Sequence, residues 1–273
     1  MDKEELRSII KDDYNLPDGK TEFEAIQDII GILGSTDAEL RDTLGYGILN
    51  QWLLKKKLLN EEQLEILLDK ALSEDMLFYR IGESGTDSVF LRSFSSLLIA
   101  LILNRDNRIK FLSRKKYEQM IERICSYCDL EKDYRGYLEG KGWAHAPAHI
   151  ADVIDECMKN SYTALNECAK LWYALLALTE GASEVFEAEE DERISLAAVT
   201  MIELKKVPLP VFIEWLYKKE ELIGRDITSM KRRINFKNLI RCLYFRLSKK
   251  ELLGEMKMEF LSLEKKFNPF HKY

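Results

Sequence analysis

Apolar residues recur at helical spacing along nearly the whole chain. In "AELRDTLGYGILNQWLLKKK", Leu40, Leu44, Ile48, Trp52 and Leu53 fall on one face, and Asp37 stands where an N-cap belongs. Asn60 precedes "EEQLEILLDKAL", with Glu62 placed to support a short cap; Asp87 precedes "SVFLRSFSSLLIALIL" and Ser113 precedes "RKKYEQMIERICSYC". The same period runs through "HIADVIDECMK", "LNECAKLWYALLAL", "ERISLAAVTMIELKK", "LPVFIEWLYKKEEL", "FKNLIRCLYFRL" and "ELLGEMKMEFLSLEKKF". No strand-like alternation competes with it, and the intervening loops, such as "LPDGK", "GESGTD" and "KVPLP", are short. The pattern predicts an all-α chain of about a dozen helices. It forms one domain over residues 1–273, with basic capping helices from about 230 to 273.

Composition agrees with a large helical core. The chain has 273 residues, 46% of them hydrophobic and 32% charged, with only five prolines and thirteen glycines to interrupt helices. The longest apolar run, "FSSLLIALIL", is too short to span a bilayer and reads as a buried helix, so no membrane partner is expected. The opening "MDKEELRSII" lacks the basic and apolar blocks of a signal peptide, and five cysteines, an odd number, point to reduced thiols; the expected location is cytoplasmic. A net charge of -6 opposes nucleic-acid binding, which needs a basic surface. The charge is uneven: Met230 to Tyr273 holds twelve Lys and Arg against four Glu. That segment reads as a solvated cap or a contact for an acidic partner.

Polar residues near the starts of alternate helices repeat at intervals of roughly 50 residues: Arg41, Arg92, His145, Arg193 and Arg241. Two helices per unit make this a HEAT-like α-solenoid of stacked helical hairpins. Corresponding positions on its inner helices then line one surface, which predicts a row of four arginines and a histidine.

The stretch "CSYCDLEKDYRGYLEGKGWAHAPAHIAD" has near-zinc-finger spacing. Cys125 and Cys128 nevertheless fall within an amphipathic helix that has no glycine or proline to form a ligand hairpin, so they read as core residues. The histidines differ. Gly142 breaks the chain before Trp143 and Pro147 fits only a first helical turn, so a helix starts near Ala144. His145, His149 and Asp152 then share one face at i, i+4 and i+7, a set able to ligate zinc, manganese or iron. Glu190, with Asp191 and Glu192 in "FEAEEDERISL", is the candidate further ligand. The aromatic, glycine-rich loop "DYRGYLEGKGW", with Arg135, Tyr137 and Trp143, is placed to close over a ligand.

The block "RGYLEGKGWAHAPAHIADVIDE" resembles an uncharacterised bacterial family, number twenty-seven eighty-five among the domains of unknown function. Its members are all-helical, HEAT-like proteins with a G-W-A-H-A-x-A-H-x-x-D block. The block runs here from Gly142 to Asp152, with Pro147 as a departure from the pattern. The resemblance extends to Arg41 and Asp42 of "LRD", to Arg92 and Ser93 of "RSF", and to "EDER" from Glu190 to Arg193. It implies a fold and a site but no activity.

Two functions compete. In the first, the protein is a binding or scaffold module whose inner face holds an anionic small molecule or an acidic peptide. Its ligand-binding residues are Arg41, Asp42, Arg92, Ser93, Arg135, Trp143, His145, His149, Asp152 and Arg193. In the second it is a metal-dependent hydrolase with a divalent transition metal on His145, His149, Asp152 and Glu190, and with Arg92 or Arg193 clamping an anionic substrate. The order of residues designates no nucleophile or general base. A likeness to HEAT-like DNA glycosylases is opposed by the acidic pI.

Overall fold

The computed structural model describes residues 1–219, 224 and 226–270; the last three residues of the basic end segment, 271–273, lie outside the described residues. Among the described residues twelve helices alternate with short loops. They are α1 (Lys3–Lys11), α2 (Glu22–Ile30), α3, α4 (Glu61–Ala71), α5 (Ser88–Arg108), α6 (Arg114–Leu130), α7 (Ala146–Lys159), α8 (Leu165–Gly181), α9 (Glu190–Glu203), α10 (Leu209–Tyr217), α11 (Ile227–Lys249) and α12 (Lys257–Phe267). Helix α3 is unusual: π-helical turns at Glu39–Tyr46 and Gln51–Lys55 flank an α-helical Gly47–Asn50.

Local signals set most helix starts. The Asp37 carboxylate accepts from the Leu40 amide at 3.0 Å, and Ser113 caps α6 through the Lys116 amide. Asn60 caps α4, but its reciprocal partner is Gln63 rather than Glu62, because only the third residue of the helix reaches back to the cap amide. Asp87 makes no side-chain cap on α5; its carboxylate goes to Lys141 at 2.7 Å.

Alternate helices pack side by side. Helix α5 lies along α7, α7 along α9 and α9 along α11, with the last turn of α3 against α5; beside this series α6 lies on α8 and α10 on α12. Helix α5 is long and apolar enough to cross a membrane by length and composition alone, yet 83% of that window is buried inside the fold. Two of its serines bond back to its own carbonyls, Ser95 to Leu91 at 2.6 Å and Ser96 to Arg92, so polar side chains survive in the core.

One feature departs from the expected all-helical loop. Tyr137–Leu138 and Gly142–Trp143 form a two-stranded antiparallel hairpin, β1 and β2, with Tyr137 opposite Trp143. The strands are too short to show an alternation in sequence. Gly142 adopts φ +77, and a Cβ there would lie 2.6 Å from that of Ala38, so only glycine lets the hairpin approach α3.

The arginine row does not form. The Arg92 guanidinium is wholly buried and paired bidentately with the equally buried Glu131, at 2.7 and 2.8 Å. It also donates to Ser88 and to the Tyr79 and Glu83 carbonyls. Glu131 in turn accepts from the Tyr127 hydroxyl and from the amides of Lys132 and Asp133. Arg92 therefore ties together the loops on either side of α5 and α6, and no ligand can reach it. Arg241 sits at the surface, paired with Glu264 of α12. Repeat spacing places arginines near helix starts without saying which way each side chain turns.

Breaking the Arg92 pair from one side leaves an uncompensated buried charge. Glu131→Gln is expected to lower unfolding free energy by about 3–5 kcal/mol, measured by urea denaturation. An unchanged midpoint would mean that the pair does not hold these loops.

Candidate functional site

A cavity of about 670 Å³ opens where α3, α5, α7, the hairpin and the loop before α9 meet. Its wall is formed by Asp42, Tyr46, Leu97, Tyr137, Trp143, His145, His149, Asp152, Glu187, Ala188, Glu189 and Arg193. The three residues expected on one face of α7 all reach it. Each has a local cause.

The start of α7 is held by the hairpin. The Ala144 and His145 amides donate to the Gly136 and Arg135 carbonyls at 2.9 Å, extending the β1–β2 ladder. His145 then turns into a left-handed conformation, φ 54, and is the N-cap, so the helix begins at Ala146, two residues later than Ala144. Pro147 occupies the first turn, where its missing amide hydrogen costs nothing. This turn stacks His145 on Trp143, ring centroids 4.8 Å apart, and sets His149 one turn below at 5.5 Å.

Arg41 secures this arrangement from behind. Its guanidinium is wholly buried against the rings of Phe90 and Phe94, at 4.2 and 4.7 Å, and donates to the carbonyls of Ser35, Lys141 and Trp143. Expected as a ligand contact, it is a strut under the hairpin. The close backbone approach at Gly142 and the Arg41 bonds act on the same turn.

Ser93 decides the chemistry of His149. Its hydroxyl lies against the Ala144 carbonyl and 2.6 Å from His149 Nδ1. A carbonyl only accepts, so the single hydroxyl hydrogen goes to Ala144 and Ser93 Oγ accepts from Nδ1–H. Burial, with His145 and Arg193 nearby, pushes the His149 pKa well below its usual value, so the ring is neutral. Nε2 is then a bare acceptor without a protein partner on the cavity wall. His145 Nε2 lies 2.7 Å from the Ala188 carbonyl and must donate to it, and burial lowers this pKa too. Its Nδ1 is the second unsatisfied acceptor.

The carboxylates complete the picture. Asp152 is held by Arg193 through a pair of hydrogen bonds, Nε to Oδ1 at 2.9 Å and Nη2 to Oδ2, joining α7 to α9. Burial raises its pKa although Arg193 opposes the shift. Asp42, whose pKa burial also raises, makes no side-chain hydrogen bond among the described residues. Beside it the Tyr46 hydroxyl, pushed up to about 12 by burial and by Asp152, stays protonated. Glu187 and Glu189 stand exposed at the rim.

Several expected site residues are elsewhere. Arg135 is locked to the buried Asp133 and the Thr86 carbonyl and faces a neighbouring cavity. Glu190 is buried behind the cavity wall and accepts from the Ala188 amide; its Oε1 lies 3.5 Å from His145 Nε2, which is closer to the Ala188 carbonyl at 2.7 Å. Glu192 is drawn away by Arg246 of α11. Among the described residues no group of three His, Cys, Asp or Glu is arranged to hold a metal ion. Cys125 and Cys128 sit on α6, half-buried and buried, with burial raising both thiol pKa values.

The sequence reading missed Tyr46, Leu97, Glu187 and Glu189. Tyr46 follows Asp42 by four residues on one helix, a signal that was there to use. Leu97 lies four residues after Ser93 on α5. The two rim glutamates are brought in only by the fold of their loop.

No curated protein and no solved structure matches the chain. The family model described as "Protein of unknown function (DUF2785)" matches residues 77–245, more than half of the chain. That span includes the hairpin, α7 and α9, whereas Asp42 and Tyr46 on α3 fall outside it. The chain belongs to this family of proteins of unknown function.

Proposed function

We propose that the protein is a binding module, a HEAT-like solenoid whose cavity takes a small organic cation rich in N–H donors, an ammonium or a guanidinium. The observation that carries this reading is the imbalance of polar atoms facing the cavity. The Asp42 carboxylate, His145 Nδ1 and His149 Nε2 all accept hydrogen bonds and have no partner among the described residues. The one guanidinium on the wall, Arg193, is already held by Asp152. A ligand that satisfies this wall donates hydrogen bonds and carries positive charge.

The aromatic residues support the same class. Trp143, 38% exposed, stacks on His145 and meets Tyr137 edge-on at 5.0 Å, and a cation is attracted by such ring faces. The anionic ligand expected from the arginine row has less behind it. Arg41 and Arg92 are spent on the fold, and four acidic side chains share the cavity with a single arginine. The hydrolase reading has no better support, since Glu190, Asp191 and Glu192 are absent from the cavity wall.

Calorimetric titration with agmatine, spermidine, citrate and glucose tests the proposal. Agmatine or spermidine is expected to bind at least about tenfold more tightly than citrate, a difference of roughly 1.4 kcal/mol. Preferential binding of citrate would restore the anionic reading, and preference for glucose would remove charge from recognition.

The affinity for such a cation should rise between about pH 4 and 7. Protonation of either aspartate or either imidazole removes an acceptor and adds positive charge. Because burial raises the pKa values of Asp42 and Asp152, the loss begins at a higher pH than ordinary carboxylates would give. A pH-independent titration would place the ligand away from these groups.

Asp42→Asn separates function from stability. A carboxylate whose folded pKa is raised above its unfolded value destabilises the fold once pH exceeds both. Removing it should stabilise the unliganded protein at pH 7 by about 0.5–2 kcal/mol while weakening cation binding. A variant that loses stability and binds as before would contradict both halves.

A further inference from the structure

Helix α11 carries a ridge at i, i+4, i+8 and i+12 formed by Arg233, Lys237, Arg241 and Phe245. Three cations in succession on one ridge repel one another, and folding alone gives no reason to keep them together. Their partners are few. Arg233 donates to the Phe267 carbonyl at 2.9 Å and Arg241 to Glu264 at 2.7 Å, so α12 borders the ridge with one carboxylate. Lys237 lies between the two guanidiniums, half-buried, with no hydrogen bond and no ion pair among the described residues. Burial, then Arg241 and Arg233, lower its pKa, and Glu264 opposes them. Of the other α11 cations, Lys231 pairs with Glu184 and Arg246 with Glu192, while Arg232 and Lys249 make no ion pair among the described residues. Phe245, 69% exposed, ends the ridge with an uncovered aromatic ring.

We infer that this ridge is the docking surface for a short acidic helix of a partner protein, anchored by an apolar side chain on Phe245. The ridge spans twelve residues, roughly 18 Å, the length of about three helical turns. Charge distribution selects a short partner over a long polyanion. The chain has 41 Lys and Arg and 47 Asp and Glu; twelve and four of these lie from Met230 onward, leaving 29 against 43 in the rest. A nucleic acid running past the ridge meets that acidic remainder, whereas a short helix stays within the basic end. Complementary charge along the ridge gives such a partner orientation and rate, and the exposed ring gives it an apolar anchor.

The test uses the full chain and a fluorescein-labelled helical peptide of glutamates with leucine at every fourth position, followed by fluorescence anisotropy. Binding is expected at about 50 mM salt and is weakened at about 300 mM. Lys237→Glu should weaken it at least about tenfold and Phe245→Ser a few-fold, with melting temperatures unchanged. If Lys237→Glu fails to fold, Lys237→Gln replaces it, with the same direction expected. Equal affinity of wild type and the Lys237 variant overturns the inference. So does a DNA duplex that displaces the peptide at lower concentration. A peptide-independent dimer abolished by the Lys237 variant overturns it too, since the occupant is then a second copy of this chain.

Discussion

The hydroxyl of Ser93 governs the candidate site. Wedged between a carbonyl that can only accept and an imidazole nitrogen, it must give its one hydrogen to Ala144 and receive one from His149. That single constraint fixes the tautomer of a buried histidine and turns Nε2 into an acceptor. The same contact joins α5 to the start of α7, so the packing of two helices and the polarity of the cavity are set by one oxygen. An apolar residue at position 93 could preserve much of the packing but would leave the ring orientation undefined.

Around that constraint the charged residues divide into two groups. Arg41 and Arg92, both wholly buried, hold loops and the hairpin in place through carbonyls, aromatic faces and Glu131. Asp42 and the two histidines face the cavity with valences unmet. Positive charge is thus consumed in building the walls, and negative charge and lone pairs are left facing the space inside. The polarity of the cavity is opposite to what a row of arginines suggests, and a buried charge held by its own chain has no interaction left to offer a ligand.

Much of this was legible in advance. Helical periodicity and cap residues gave the elements, because the apolar face of a helix and the chemistry of its first turn are local properties. His145, His149 and Asp152 were readable as one group for the same reason: i, i+4 and i+7 are neighbours on any helix, and Pro147 limited where the helix could begin. Trp143 was legible as a neighbour of the histidines. The hairpin was not, since two residues per strand leave no period to detect, and its position depends on Gly142 approaching α3.

What the sequence determined by itself was therefore the set of helices and the stripe on α7, each decided by residues within a few positions of one another. What only the tertiary structure decided was the direction and partner of the arginines around the site. Arg92 finds Glu131 across thirty-nine positions, Arg41 finds the Trp143 carbonyl across 102, and Arg193 finds Asp152 across forty-one. A guanidinium on a flexible stem can serve a ligand or a loop, and no local pattern distinguishes the two. The packing of α3, α5, α7 and α9 makes that choice, and with it the sign of the charge left inside the cavity.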